Sequence, residues 1–367
     1  MLHKALASLT LMLGVCVLPA VAYGPKGHET VGTIADQRLA GKPIAAKIDD
    51  LLDGLTLGKA ALLPDQIKSW DFKNPDTYQL PGHPALTQQL RAFLKANPAH
   101  AKAGNPAPSH HSFHFCDIPV AGKSTYASGK TGRSQFDIVQ MIPFCIGVMK
   151  GTVPEDNDRK ITKSLAVILL AHYLGDLHQP LHVGAQYFDQ NGQPVNPDTN
   201  GAATPDQGGN SLTLVLNRPN DHGHPQTTAV FHTYWDDATV ETAFGLLALD
   251  IRKTRKGTAN IQIADVARRL ASIEPDVWKP SPKLPVEKWA EQWANDILPL
   301  AREAHDRLSF EQIQIDPIHK VAKGLAVERP PSAPGMDDYA TWSGKQVRDQ
   351  LHKAGWRLAE LLERIVD

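Results

Sequence analysis

A short segment in the middle of the chain combines an apolar helical pattern with side chains that can bind metal. Residues 172–182 read HYLGDLHQPLH, which places four such side chains in eleven positions. His172 and Asp176 are four residues apart, so on an α-helix they project from one face, one turn apart, and can reach a single cation. The first expectation is therefore an apolar helix that carries metal ligands.

His182 does not share that face. Ten residues at about 100° each turn it roughly 80° away from His172, and Pro180 interrupts the helical hydrogen bonding just before it. His182 therefore indicates a second metal centre beside the first.

A second His–Asp pair repeats the spacing of the first. His232 and Asp236 stand four residues apart in FHTYWDD. One such pair is common on solvated helix faces, but two pairs with further His and Asp residues at motif-like sites indicate a metal centre. Histidine and carboxylate ligands without thiolates suit zinc or a similar divalent ion, whereas an all-oxygen set suits calcium or magnesium.

The N-terminus has the features of a secretory signal. Lys4 precedes an apolar run around LMLGVCVL, and Ala20-Val21-Ala22 forms the small-x-small pattern of a cleavage site. We expect cleavage after about Ala22, so that residues 1–22 are removed and a secreted or periplasmic protein begins at Tyr23. A membrane anchor is disfavoured because the apolar run is short for a bilayer span.

The composition allows a large buried core, and the net charge gives the protein no overall positive potential. The chain has 367 residues, of which 42% are hydrophobic, and its net charge of -1 becomes -2 when Lys4 leaves with the signal. The sequence shows no basic patch for neutralising phosphates, so metal ions must supply much of that charge if phosphate is bound. Cys116 and Cys145 remain after cleavage, and an oxidising compartment permits a disulfide between them without requiring it.

Helical patterning dominates the chain after the signal. Apolar residues recur at intervals of three and four in residues 161–177, 286–308 and 347–367. Residues 211–216, SLTLVL, suit a short strand, but no series of strands that would build a sheet is visible. Residues 71–83 and 189–210 have loop composition. We expect one all-α domain over residues 23–367, with at most a short β-hairpin.

These motifs resemble those of the zinc-dependent single-strand nucleases that also act as 3′-nucleotidases, which are relatives of bacterial zinc phospholipase C. The resemblance covers nearly all of residues 23–367. It is strongest in HYLGDLHQPLH and continues in GGN at 208–210, HTYWD at 232–236 and HFCD at 114–117. It implies a multi-helix domain that hydrolyses single-stranded DNA, RNA and 3′-nucleotides, giving 5′-phosphate products or nucleosides.

The resemblance also implies three zinc ions per chain, with the mature N-terminus as a ligand. The first ion has the ligands Asp65, His114, His172 and Asp176. The second ion shares Asp176 as a bridge and takes His28 and Tyr23, the latter through its amine and carbonyl. The third ion has the ligands His182, His232 and Asp236. This assignment agrees with the helix geometry, which turns His182 away from the shared face.

Five residues receive further roles, three of them from the resemblance. Asp65 would orient the attacking water, which zinc activates by lowering its pKa towards about 7. Lys68, one helical turn later, would neutralise charge on the phosphoryl oxygens, although an ordinary exposed lysine is the alternative. Phe115 matches a position that stacks on a base, and Asp117 and Asn210 match positions that bind its edge. Phe115 could equally be a core residue.

The chain departs from the family pattern in three places. The mature protein would begin at Tyr23 where relatives often have Trp, a change that ligation through the backbone tolerates. Pro64 precedes Asp65 where relatives commonly have a small residue. The segment between Asp65 and His114 is longer than expected and could border the site and alter substrate choice. Five other histidines are expected at the surface or behind the ligands: His110, His111, His178, His222 and His224.

Two other functions are open at this point. A zinc phospholipase C would use similar chemistry on a choline lipid, but the GGN motif argues against it, as does Asp236 where that branch is expected to carry Glu. A non-catalytic exported zinc-binding protein would need neither a bridging carboxylate nor a recognition pocket. We expect a monomer, without stable membrane association, whose substrates are single-stranded nucleic acid and 3′-nucleotides.

Overall fold

Helices form most of the computed structural model, which describes residues 23–70, 73–99, 109–218, 224, 226–254 and 261–366. The expected signal, residues 1–22, lies outside them. The α-helices are α1 (Gly24–Leu39), α2 (Pro43–Leu51), α3 (Leu57–Ala60), α4 (Leu63–Lys68), α5 (Pro84–Ala96), α6 (Ile138–Met149), α7 (Lys163–His178), α8 (Pro197–Asn200), α9 (Phe231–Thr233), α10 (Thr239–Thr254), α11 (Ile263–Ala271), α12 (Trp289–Asp306) and α13 (Tyr339–Ile365). Short 3₁₀ turns occur at Pro75–Thr77, His110–His114, Pro180–His182 and Val286–Lys288, and a π-helical turn at Tyr234–Ala238.

The central helix of the fold is α7. It contacts α1, α3, α6, α12 and α13, and every residue from Leu165 to His178 is buried, as expected for a helix that is apolar on all sides. The Thr162 side chain caps its first turn by accepting a hydrogen bond from Leu165 N–H. Gln179 is extended because it precedes Pro180. The predicted break before His182 is confirmed.

The other two predicted helices are also present. The segment predicted over 286–308 contains α12, and the one predicted over 347–367 belongs to α13, which starts earlier, at Tyr339. Asp338 caps α13 by accepting a hydrogen bond from Thr341 N–H at 2.7 Å. The mainly helical fold class is confirmed.

Small sheets accompany the helices. The strands are β1 (Ile118–Pro119), β2 (Gly184–Ala185), β3 (Tyr187–Phe188), β4 (Pro194–Val195), β5 (Thr204–Pro205), β6 (Leu212–Leu216), β7 (Thr227–Val230), β8 (Leu308–Asp316) and β9 (Val321–Glu328). β1 and β2 pair in parallel, and β4-β3-β5 form a second sheet. The third sheet has the order β7-β6-β9-β8, in which only β6 and β9 are parallel.

The expectation of at most a short β-hairpin was wrong. β8 and β9 pair over most of their length and join β6 and β7 in a four-stranded sheet. A bulge shifts the register between Glu311 and Gln314, where Gln312 has a φ of 54°. This bulge breaks the two-residue alternation by which a strand is recognised in sequence, and much of β8 is polar. The sheet matters for the site because β6 follows the GGN segment and β7 leads into His232.

Both predicted loops are present with short regular pieces. Residues 73–83 contain the 3₁₀ turn at Pro75–Thr77, and the stretch 189–210 contains β4, α8 and β5. Cys116 and Cys145 are buried free thiols, so the permitted disulfide is not formed. Among the described residues, no helix has the length and apolarity needed to cross a bilayer.

Candidate metal centre

α7 presents two expected ligands on one face, as their spacing predicts. His172 donates its Nδ1–H to the backbone oxygen of Ala61 at 2.7 Å. A carbonyl oxygen can only accept, so the free lone pair of this imidazole is on Nε2. That Nε2 lies 3.1 Å from Oδ2 of Asp176, and both side chains are fully buried.

Three further side chains converge on this pair. Nδ1 of His114 lies 2.8 Å from Oδ2 of Asp176 and 3.0 Å from Nε2 of His172. Nε2 of His28, on α1, lies 3.3 Å from Oδ1 of Asp176. Oδ1 of Asp65, on α4, lies 3.6 Å from Nε2 of His172. Asp176 is thus surrounded by imidazoles from three different parts of the chain.

A second group forms beyond the break at Pro180. His182 donates Nδ1–H to the backbone oxygen of His114 at 2.8 Å, and His232 donates Nδ1–H to that of Gly208 at 2.6 Å. The two Nε2 atoms therefore both carry lone pairs, and they lie 3.0 Å apart. Oδ2 of Asp236, in the π-helical turn, lies 3.5 Å from Nε2 of His232. Facing lone pairs repel each other and attract a cation.

Buried polar atoms in both groups lack a hydrogen bond of acceptable geometry to any described residue. These atoms are His28 Nδ1 and Nε2, Asp65 Oδ2, Asp176 Oδ1 and Asp236 Oδ2. Leaving one such atom unpaired costs about 1–3 kcal/mol, and a bound cation removes that cost. The site therefore fits divalent metal, and its nitrogen and oxygen donors suit zinc.

The ligand atoms gather in three groups within 4.8 Å. These groups are His28, His172 and Asp176; Asp65, His114 and His172; and His182, His232 and Asp236. The group of His182, His232 and Asp236 is the full set expected for the third ion. The group of Asp65, His114 and His172 contains three of the four ligands expected for the first ion. The remaining group joins His28 to Asp176, the predicted bridge. All eight predicted side-chain ligands are therefore brought together.

Tyr23, the ninth predicted ligand, lies at the edge of the third group. Its backbone nitrogen is 3.2 Å from Oδ1 of Asp236, a residue expected to bind a different ion from Tyr23. Its carbonyl accepts a hydrogen bond from Gly27 N–H at 2.9 Å, which leaves one lone pair of that oxygen free. The residue is completely buried.

Lys68 is not an ordinary exposed lysine. Its side chain is buried, and Nζ lies 2.8 Å from Oδ1 of Asp65. Burial acts to raise the pKa of Asp65, but Lys68 and the neighbouring histidines outweigh it and hold that pKa below its usual range. Asp65 therefore stays ionised, with Oδ1 bound to Lys68 and Oδ2 directed into the site.

Burial sets the protonation of most of the histidines. It lowers the pKa of His28, His114 and His182, and it lowers that of His232 to about 3, with help from the adjacent His182. These imidazoles are therefore neutral at neutral pH, which is the form that binds metal. Burial also raises the pKa of Asp236, so this carboxylate needs a nearby positive charge to ionise.

Three supporting residues were missed in the sequence. Gln179 donates from Nε2 to Oδ1 of Asp236 at 2.9 Å and so orients that carboxylate. A Cβ on Gly175 would lie 2.7 Å from the His28 ring, and one on Gly208, at φ 59°, would lie 2.3 Å from the oxygen of Leu181. Gly175 stands inside the apolar helix pattern, and a glycine at such a position was the sequence signal for its close contact with His28.

The three predicted base-binding residues flank the metal ligands. Phe115 follows His114 and is 38% exposed, so the alternative of a core residue is wrong. Asp117 is partly buried, and burial with the nearby Asp206 raises its pKa to about 7. Asn210 lies two residues beyond Gly208, and its Nδ2 donates to the oxygen of Gln207 at 2.9 Å.

The remaining histidines are distributed as follows. His178 is fully buried behind the ligands, where Arg357 Nη1 lies 3.0 Å from its Nε2. His110 is buried against Phe93, His111 is partly buried, and His224 is exposed. His222 lies outside the described residues.

Together, the helical fold and the three adjoining groups of imidazoles and carboxylates define a helical protein with a candidate metal centre. The profile of the S1/P1 nuclease family matches residues 23–367. The chain therefore belongs to the S1/P1 nuclease family.

A curated relative gives a more distant similarity. Endonuclease 1 of Arabidopsis thaliana is 23% identical to this chain over 250 residues. That alignment covers 64% of this chain and 61% of the relative, so the chain spans less than two thirds of the relative's length.

Proposed function

We propose that the protein is an exported zinc-dependent phosphodiesterase. It would hydrolyse single-stranded DNA and RNA to 5′-phosphate products and 3′-nucleotides to nucleosides. The observation that carries this proposal is the convergence of eight His and Asp ligands, all buried except the partly buried Asp65, around two pairs of facing imidazole nitrogens. Membership of a nuclease family supports it, as does the name of the Arabidopsis relative. Signal removal at about Ala22 would free Tyr23 as the ninth ligand.

The metal-binding residues would divide among three zinc ions. Asp65, His114, His172 and Asp176 would hold the first, while Tyr23, His28 and Asp176 would hold the second. His182, His232 and Asp236 would hold the third. When bound, such ions lower the pKa of water and polarise phosphoryl oxygens.

The chain's own residues would position the reacting groups. Asp65 would accept a hydrogen bond from the attacking water, because its Oδ2 has no hydrogen-bond partner among the described residues. Lys68, fixed on Asp65 Oδ1, would place positive charge beside the phosphoryl oxygens. Water would attack phosphorus, the bond from phosphorus to the 3′ oxygen would break, and that oxygen would leave as the hydroxyl.

Base binding would use the surface beside these ligands. Phe115 offers an exposed ring for stacking, which tolerates any base. The Asp117 carboxylate would accept hydrogen bonds from the base edge. The side-chain oxygen of Asn210 would also accept from the base, since its Nδ2 already donates to the oxygen of Gln207. A base paired in a duplex cannot reach such a surface, which would favour single strands.

Substrate comparison tests the proposal directly. Protein that begins at Tyr23 and holds zinc should hydrolyse single-stranded DNA, RNA and 3′-AMP, with duplex DNA cut more slowly. Phosphatidylcholine micelles should be a poor substrate. Absence of activity on all three nucleic-acid substrates at full zinc occupancy would refute the proposal and favour a zinc-binding protein. Faster cleavage of phosphatidylcholine would favour the phospholipase.

Asp117 should make base binding depend on pH. Its pKa of about 7 means that the carboxylate exists mainly above pH 7 and is protonated below it. As pH falls from 8 to 6, the KM for 3′-AMP should rise by roughly up to tenfold, since one pKa unit is a factor of ten in ionisation. The ratio of KM values for wild type and Asp117→Asn, measured at each pH, separates this effect from titration elsewhere. Parallel profiles of the two proteins would rule out this role for Asp117.

A further inference from the structure

Tyr23 is held at two separate points. Its backbone nitrogen lies 3.2 Å from Oδ1 of Asp236, and its hydroxyl donates to the backbone oxygen of His178 at 2.6 Å. His178 is the last residue of α7, so this bond ties the N-terminal residue to the helix that carries His172 and Asp176. The Tyr23 ring is completely buried between these two points.

A buried chain of hydrogen bonds fixes His178 in turn. Its Nδ1–H donates to the oxygen of Leu174 at 2.7 Å, so Nε2 accepts from Nη1 of Arg357 at 3.0 Å. Arg357 is 1% exposed, and it also donates to the oxygen of Trp278 at 2.8 Å and to Oδ2 of Asp296 at 2.6 Å. A guanidinium with three engaged nitrogens holds one orientation.

We propose that Asp296, Arg357 and His178 form a positioning chain that acts through the Tyr23 hydroxyl to fix the N-terminal nitrogen in the metal centre. This inference rests on the proposed role of that nitrogen as a zinc ligand. A chain terminus has no preceding residue to hold it, so its position depends on the contacts of its own side chain and of the helix that follows. Residues behind a metal ligand orient it and tune its affinity.

The Tyr23→Phe variant tests the chain, because it removes the hydroxyl and keeps the buried ring. Signal-cleaved protein would be titrated with a chelator, and zinc per chain would be measured. One of the three zinc ions should leave the variant at a roughly ten- to hundredfold lower chelator concentration than in wild type, while the other two stay bound. Lysine has one side-chain nitrogen and cannot replace the planar guanidinium of Arg357. The Arg357→Lys variant should therefore also release one zinc ion at a lower chelator concentration than wild type.

A matched control is Tyr126→Phe. Tyr126 is equally buried, and its hydroxyl donates to both oxygens of Asp137 at 3.0 Å. Tyr23→Phe and Tyr126→Phe should both lower the melting temperature of the zinc-free protein. Tyr126→Phe should leave the zinc titration unchanged.

Two results would overturn the inference in distinguishable ways. In one case, blocking the terminal nitrogen removes one ion from wild type, but Tyr23→Phe releases its zinc at the same chelator concentrations as wild type. This result would refute the positioning chain alone. If blocking the nitrogen removes no zinc, the nitrogen is not a ligand, and the proposed N-terminal site fails together with this inference.

Discussion

The Asp176→Asn variant of the signal-cleaved protein is expected to bind at least one zinc ion fewer and to lose roughly 10³-fold or more in kcat/KM. The carboxylate is fully buried, with Oδ2 at 2.8 Å from Nδ1 of His114 and Oδ1 at 3.3 Å from Nε2 of His28. Asparagine has nearly the same shape but no charge, and its amide nitrogen cannot act as a ligand. A 10³-fold loss corresponds to about 4 kcal/mol of transition-state stabilisation, within the range expected for metal catalysis.

Zinc per chain and kinetics on 3′-AMP measure the two parts of this prediction. Asp137→Asn is the control, since Asp137 is also a buried carboxylate, but it caps α6 by accepting from Val139 N–H at 3.0 Å. That variant should lose stability and keep its zinc. Full zinc content together with wild-type rates in Asp176→Asn would show that Asp176 is not a bridging ligand.

The α7 segment was predictable because its information is local. The His172–Asp176 spacing and the break at Pro180 both follow from helix geometry, and the structure has both. The repeated spacing also pointed to His232 and Asp236, but the pairing of His182 with His232, fifty positions apart, came from the family resemblance. The local period therefore gave the helical fold class and the two His–Asp pairs, whereas the family resemblance supplied His28, Asp65 and His114.

The supporting contacts were not predictable, because they join distant parts of the chain through backbone atoms. The oxygens of Ala61 and Gly208 fix which nitrogen of His172 and His232 faces the site. Any residue type offers such an oxygen, so sequence carries no sign of it. The same holds for Arg357, whose contact with His178 spans 179 positions. The sheet was missed for a related reason, since the bulge in β8 disrupts its periodicity.

Retaining extra residues before Tyr23 is expected to remove one zinc ion and to reduce activity on 3′-AMP by roughly a hundredfold or more. In such a protein the nitrogen of Tyr23 belongs to a peptide bond, whose resonance leaves no lone pair for a metal. This nitrogen lies 3.2 Å from Oδ1 of Asp236, so its loss as a donor falls directly beside the ligand groups. The expected loss of about 3 kcal/mol or more is the size of one metal-ligand or oxyanion contact.

The control carries the same extra residues after Asp367 and should keep three zinc ions and full activity. A protease site placed directly before Tyr23 makes the comparison sharper, because cleavage in the presence of zinc should restore both the missing zinc ion and the rate in a single sample. Equal zinc content and equal rates before and after cleavage would exclude the terminal nitrogen as a ligand. Restoration of zinc without activity would assign the nitrogen a role in metal binding alone, and the catalytic part of the proposal would then rest on the eight side-chain ligands.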